Sequence, residues 1–256
     1  MQITTLASGS TGNCALIREG ETRILIDAGI SCKRIKEGLR QEGLEPQDLD
    51  GVLITHEHSD HLSGLRVLEK HYQLPVFATL PVIHALEAMG ADCIIPFHEI
   101  ETGTVFSVND VQVRAFHVPH DAADCVGYRF TGEHVLGYAT DTGCITEEII
   151  EGLSGADIAL IEANHDIQML RTGGYPYYLK KRILSDHGHL SNESSAELAG
   201  ILHQQGTCHF ILGHLSRNNN TVQLAHDTVA QTLSGTGATL QTAPMLGNLT
   251  VSTEVI

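Results

Sequence analysis

The sequence predicts an α/β fold, one domain over residues 1–256 built from two packed sheets with helices outside. Three observations carry this expectation. Strand-like runs come in two batches, each followed by helical periodicity. No Pro- or Ser-rich linker divides the batches, and no fixed-period repeat runs through the chain. With 256 residues, 42% hydrophobic and 18% charged, the chain is long and apolar enough for a substantial core.

Periodicity and punctuation give the elements in order. Met1 to Leu6 reads as a first strand. Leu6 to Asp27 reads as two strands around a Gly-rich turn, Ser8-Gly9-Ser10-Thr11-Gly12-Asn13; the second of them, Thr22 to Asp27, ends at Ala28-Gly29. Residues 31–42 are expected to be helical. Leu49 to Thr55 is an apolar strand that runs into His56, and a helix follows over residues 61–72. Short α/β units alternate up to residue 100. Residues 104–117 and 125–139 read as antiparallel strands with Gly turns. Ala156 to Ala163 is a buried strand, residues 192–204 a helix, and His209 to Leu212 a strand entering Gly213-His214. A helix over residues 221–233 and short strands complete the chain.

Composition narrows the function classes. No apolar run approaches the length of a membrane span. Met1 to Leu6 lacks the basic and apolar regions of a secretory signal, so a cytoplasmic location is expected. Cysteines at 14, 32, 93, 125, 144 and 208 form no CxxC pair and read as small, reduced, buried thiols. Fifteen basic against 31 acidic residues give a formal charge of −16, which argues against a general nucleic-acid coat. Sixteen histidines or bound metal ions can reverse that sign locally.

The sharpest signal is His56-Glu57-His58-Ser59-Asp60-His61, between an apolar strand and a helix. Four potential ligands within six residues at a strand exit are hard to reconcile with a mere solvated loop. His56 and His58 can converge on one ion, and Asp60 and His61 can face a second. Imidazole and carboxylate donors suit zinc or manganese and admit iron. His120, Asp141 and His214 also stand at expected strand exits.

With these residues in place, the chain resembles the metallo-β-lactamase-fold hydrolases over nearly its whole length. The matching features are Asp27, the HxHxDH run His56 to His61, His120, Asp141 within Thr140-Asp141-Thr142-Gly143, and His214. The resemblance implies a four-layer αββα sandwich with two divalent ions along one edge. His56, His58 and His120 would hold one ion, Asp60, His61 and His214 the other, and Asp141 both. Asp27 would orient a ligand from behind. His58 stands where oxygen- and nitric-oxide-reducing relatives carry Glu, which favours hydrolysis.

The substrate needs further features. Ala156 to Ala163 and Gly188-His189-Leu190-Ser191-Asn192 resemble segments of the tRNA 3′-processing nucleases, although Ile161 stands where those have His, and a histidine appears instead at His165. The fuller resemblance is to the bacterial WalJ/YycJ-like subfamily. Ser8 to Asn13, His120-Asp121-Ala122, Asn164-His165-Asp166, Gly174-Tyr175-Pro176, Gly188 to Asn192 and His214 to Asn219 carry it. It implies a metal-dependent nuclease, a 5′→3′ exonuclease on DNA. The expected mechanism is two-metal hydrolysis by a water activated between the ions and oriented by Asp60 and Asp141. His189 would contact the scissile phosphate or protonate the leaving oxygen, and His165 would help to orient it. A small-molecule hydrolase of the glyoxalase II, lactonase or small-phosphodiesterase kind is the alternative.

For the nucleic acid itself, Ser8, Ser10 and Asn13 of the Gly-rich turn offer a phosphate nest; a plain glycine turn explains that motif equally well. Lys180, Lys181 and Arg182 sit with Arg171 in an acid-free stretch beside Tyr175, Tyr177 and Tyr178; Asn192, and Asn219 in a second acid-free stretch, are further candidates to contact the substrate. An ordinary solvated helix face is the competing account of that cluster. A homodimer is compatible with the sequence.

Overall fold

Ile24-Leu25-Ile26 contains the reason for four layers. Ile24 and Ile26 face one buried layer and Leu25 faces another. In the second sheet, Ile158 and Leu160 likewise alternate with Ala159 and Ile161 between two layers. A strand that is apolar on both faces must be covered on both.

The computed structural model describes residues 1–90 and 96–253; Cys93 lies outside the described residues. Two sheets of seven strands are formed among them. The first contains β1 (Gln2–Ala7), β2 (Cys14–Glu19), β3 (Thr22–Ile26), β4 (Gly51–Leu53), β5 (Val76–Thr79) and β6 (Phe97–Ile100) in sequence order. The second contains β7 (Val105–Val108), β8 (Val111–His117), β9 (Val126–Thr131), β10 (Val135–Ala139), β11 (Ile158–Glu162), β12 (His209–Gly213) and β13 (Thr239–Thr242), again in sequence order. The last strand, β14 (Leu249–Ser252), returns to pair with β1. Strands β3 to β6 and β10 to β13 are parallel, whereas the earlier strands of each sheet pair antiparallel.

Ile3, Ile17, Ile24 and Ile26 meet Val113, Tyr128, Phe130 and Leu160 between the sheets. Helices α1 (Cys32–Gln41), α3 (Leu65–Tyr72) and α4 (Leu80–Ala88) cover the first sheet through Ile35, Leu39, Leu68 and Val82. On the second sheet, α5 (Glu147–Leu153), α8 (Asn192–Gln204) and α9 (Val222–Thr232) place Ile149, Leu198, Leu202 and Val229 on Phe116, Ile161 and Phe210. This is the four-layer αββα order the sequence predicted. No helix among the described residues is long and apolar enough to cross a membrane.

Three local expectations change. Cys14–Glu19 is a separate strand, so Gly9 to Asn13 joins β1 to β2, and Gly20, with φ of +54°, makes the next turn. The helix expected over 61–72 is split into α2 (Ser59–Leu62) and α3 at Ser63-Gly64. Gly64 packs so closely that a Cβ there would lie 2.1 Å from the carbonyl oxygen of Ile30. The β7–β8 turn uses Asn109, at φ of +49°, where a glycine was expected; asparagine tolerates the left-handed region.

Glu69 of α3 is fully buried, and neither carboxylate oxygen has a hydrogen-bond partner among the described residues. Burial raises its pKa from 4.5 to about 7. The folded chain therefore keeps a proton that the unfolded chain loses first. Stability from this group is fully present below pH 4.5 and is lost as pH rises to about 7. Glu69→Gln should be more stable than the parent at pH 8, by at most about 3 kcal/mol. That advantage should shrink towards pH 4.5. Urea unfolding of both proteins at the two pH values checks this; an equal difference at both would refute it.

Candidate metal centre and active site

The site forms where parallel strands end. β3 leads into Asp27, β4 into Thr55-His56, β10 into Asp141, and β12 into His214, while Glu162 closes β11. Asp27, Asp141 and His214 adopt left-handed backbone, with φ of 58°, 56° and 55°. Each costs on the order of 1 kcal/mol for a residue with a Cβ, so three in one place mark a geometry that the surrounding fold must impose.

Asp27 is fully buried. Its carboxylate accepts the Thr55 amide at 2.9 Å, the Thr55 hydroxyl at 2.9 Å and His61 Nδ1 at 2.7 Å. A carboxylate can only accept, so Nδ1 of His61 carries the proton and Nε2 is turned towards the other side chains. There, His61 Nε2 lies 3.2 Å from Asp141 Oδ2 and 3.7 Å from Asp60 Oδ2. His120 is held in the same way, Nδ1 donating to the Gly188 carbonyl at 3.1 Å. His56 Nδ1 lies 3.0 Å from the Thr55 hydroxyl.

Potential donor atoms of His56, His58 and His120 lie within 4.8 Å of one another, and so do those of Asp60, His61 and His214. Asp141 sits between the two groups: Oδ1 is 3.7 Å from His120 Nε2, and Oδ2 faces His61. His56 Nε2, His214 Nε2 and Asp141 Oδ2 are buried and make no hydrogen bond among the described residues. Four carboxylates, those of Asp27, Asp60, Asp141 and Glu162, also converge here, and among the described residues no lysine or arginine pairs with them. Orphaned imidazole nitrogens beside this cluster of carboxylates form a donor set that fits divalent metal ions.

The electrostatics agree. Burial alone would hold the His61 pKa down, but Asp141 and Asp27 carry it up to about 10. Burial pushes His56 well below its usual value, aided by His61. Asp141 is held well below the carboxylate range despite its burial, through His214 and His61. The carboxylates thus favour positive charge at His61 and His214, while burial disfavours it at His56 and His120.

Glu162 acquires a role that the sequence reading did not give it. It is fully buried. Oε1 accepts His214 Nδ1 at 2.6 Å and His189 Nδ1 at 2.9 Å, and Oε2 accepts the amides of Thr142 and Leu190, each at 2.9 Å. Against its burial, His189 and His214 lower its pKa to about 2. Its place at the end of an apolar strand, like that of Asp27, was the available signal. His189 is thereby oriented on the rim, partly exposed, with Nδ1 occupied. His165 is 1% exposed, and neither ring nitrogen has a partner among the described residues.

The residues expected to hold phosphate are placed unequally. Ser8 is buried and its hydroxyl accepts the His214 amide at 2.9 Å. Asn13 accepts the Gly9 amide at 2.9 Å and lies 3.0 Å from His61 Nε2. The amides of Gly9, Gly12 and Asn13 are all taken within the protein, which leaves them unavailable as an anion nest. That turn instead braces the ligand loop: the Asn13 amide donates to the Asp60 carbonyl at 2.8 Å, and a Cβ on Gly29 would lie 1.7 Å from that oxygen. Asn192 is buried against Asn220, and Asn219 against Ser216. Ser10 is exposed, beside His189, Tyr175 and Arg182.

The basic stretch folds as two short helices, α6 (Ile167–Thr172) and α7 (Tyr177–Ile183). Lys180 donates to the carbonyls of Arg171 and Gly173, both at 2.7 Å, so it closes the end of α6. Arg182 pairs with Asp121, with Nη2 2.9 Å from Oδ1. Arg171 and Lys181 form no ion pair among the described residues, and Tyr177 and Tyr178 are exposed.

Comparison with known proteins agrees with this geometry. Residues 22–214 match the β-lactamase superfamily domain. Exodeoxyribonuclease YycJ of Bacillus anthracis is 39% identical over 241 residues, covering 93% of this chain and 90% of that protein. Exodeoxyribonuclease WalJ of Streptococcus pneumoniae D39 is 40% identical over 233 residues, covering 90% and 87%. Among solved structures, the metallo-β-lactamase-fold protein YhfI of Bacillus subtilis superposes with a TM-score of 0.76 at 15% identity, covering 98% of this chain and all of that one. The chain therefore belongs to the β-lactamase superfamily in its metallo-β-lactamase form, alongside the YycJ and WalJ exodeoxyribonucleases.

Proposed function

We propose that this protein is a binuclear metal-dependent phosphodiesterase acting as a DNA exonuclease, with 5′→3′ polarity. The observation that carries the reading is the pairing of two adjacent ligand triples, joined by Asp141, with His189 on their rim. His56, His58 and His120 would hold one ion, Asp60, His61 and His214 the other, and Asp141 both. Zinc or manganese suits these donors, and iron is admitted. When bound, the ions supply a water acidified to near-neutral pKa and a positive clamp for the phosphoryl oxygens.

The side chains divide the remaining work. Asp60, on the more open side of the ligand group, orients the attacking water. Asp27 and Glu162 fix the tautomers of His61 and His214, so that Nε2 of each faces the centre. His189, with Nδ1 tied to Glu162, contacts the scissile phosphate and gives a proton to the departing oxygen. His165 stands behind His189, and its part in orienting the phosphate is the weaker of the two.

The identity to two exodeoxyribonucleases across nearly whole chains supports DNA as substrate over a small thioester or lactone. The test is digestion of single- and double-stranded DNA labelled at either end, with Mn²⁺ or Zn²⁺, beside RNA, bis-p-nitrophenyl phosphate and a thioester. Release of mononucleotides from the 5′ end is expected, abolished by chelation and restored by metal. Thioester cleavage in preference to DNA would reverse the assignment.

Arg171 and Lys181 are the unpaired cations of the stretch and should meet the DNA backbone. Arg171→Ala with Lys181→Ala should lower the log–log slope of DNA affinity against salt by about 1.4–1.8, since each phosphate contact contributes about 0.7–0.9. Filter binding at several salt concentrations measures this. An unchanged slope would leave the two residues as a solvated face.

A further inference from the structure

His189 borders two cavities. On one side is a small space of about 140 Å³ lined by Ser10, Tyr175, Ser216 and Arg182. On the other is a larger one of about 430 Å³. Its walls include Ile145, Ile167 and Leu184, Asp186 and Glu197 stand at its exposed edge, and His165 lies at its floor. His165 is the second, independent feature: a 1% exposed imidazole with neither nitrogen bonded among the described residues. A buried polar group left unpaired is costly, and a ligand with matching polar atoms removes that cost.

Charge sorts what each cavity can accept. Two carboxylates at the edge of the larger space repel a phosphate, whereas the hydroxyls of the smaller one, beside the Asp121-paired Arg182, can donate to an anion. Ile145, Ile167 and Leu184 give a flat ring apolar surface to lie on, the rest of the mostly polar lining offers it hydrogen-bond partners, and the volume falls within the range of small-ligand pockets. Carboxylates accept from exocyclic amino groups, as in recognition of cytosine N4. Thymine would set its carbonyl oxygens against them.

We infer that the larger cavity holds the nucleobase of the nucleotide being released, and that it favours bases carrying an exocyclic amino group over thymine. This rests on the nuclease reading above. It gives the enzyme a recognition site for the terminal nucleotide beside the metal centre and separate from the backbone contacts of α6 and α7.

The test compares Mn²⁺-loaded parent, Ile167→Trp and Glu197→Gln on oligonucleotides ending in cytosine, thymine or an abasic sugar. Both substitutions lie at or near the surface of helices. In the parent, kcat/KM should be severalfold higher for cytosine than for thymine ends. Ile167→Trp fills the cavity and should lower the ratio of kcat/KM on base-bearing over abasic ends about tenfold, equivalent to about 1.4 kcal/mol. Glu197→Gln should level cytosine with thymine. Calorimetry gives a readout that does not depend on turnover: dCMP should bind the parent more tightly than dTMP, and Ile167→Trp should lose that difference while inorganic phosphate binds both alike. Equal rates on base-bearing and abasic ends in the parent, or ratios untouched by Ile167→Trp, would overturn the inference alone. A parent that digests no DNA overturns the nuclease reading and this inference with it.

Discussion

Asp141→Ala should abolish activity, by about 10³-fold or more, and should release metal. Among the described residues, Asp141 is the one carboxylate within reach of both proposed ligand triples, 3.2 Å from His61 Nε2 and 3.7 Å from His120 Nε2. In the proposed two-ion site, removing it would take a donor from each ion and leave their charges uncompensated across a buried space. The several kcal/mol that metal assistance contributes to phosphodiester cleavage would be lost together with the ions that supply it. Asp141→Asn keeps the shape and one oxygen but not the charge, so it should fall between parent and alanine variant in metal content. Elemental analysis after dialysis, read beside hydrolysis of bis-p-nitrophenyl phosphate, separates the cases. An alanine variant that retains the parent's full metal content would remove Asp141 from its bridging position.

The convergence of the proposed ligands was legible because its information is local. His56, His58, Asp60 and His61 lie within one turn of chain, and His120, Asp141 and His214 each follow an apolar strand whose end the sequence marks. The four layers were legible for a related reason: runs such as Ile24-Leu25-Ile26 need cover on both faces. What was not legible depends on neighbours distant in sequence. Glu162 looks like any strand-end acid until β10 and β12 bring Thr142 and His214 to its two oxygens. Ser8 and Asn13 carry side chains suited to phosphate, yet the fold spends them on His214 and Gly9. Lys180 and Arg182 count as positive charge in the sequence, while in space one closes α6 and the other is matched by Asp121. The split between α2 and α3 likewise follows from the approach of Ile30 to Gly64, a contact that no helical periodicity records.

Glu162→Gln and His189→Ala should fail in different ways, and the difference tests the chemistry assigned to the rim. In the parent, all four groups facing Glu162 donate: two backbone amides to Oε2 and two imidazole Nδ1–H groups to Oε1. A glutamine amide has one oxygen and one NH₂. If the oxygen stays with the Thr142 and Leu190 amides, the NH₂ faces both histidines and forces their protons onto Nε2. His214 then presents an N–H where a lone pair is needed, and His189 loses the carboxylate that stabilises its charged form. Glu162→Gln should therefore lose metal as well as turnover. His189→Ala removes no ligand and should keep the parent's metal content while turnover on DNA falls by roughly 10²–10⁴. Its loss should be smaller on bis-p-nitrophenyl phosphate, whose leaving group needs little protonation. If His189→Ala loses equally on both substrates, proton donation is not its role, and the residue acts on the phosphate alone. If Glu162→Gln retains the parent's metal and activity, the carboxylate does not set the tautomers of His214 and His189, and the orientation of both must come from the packing around them.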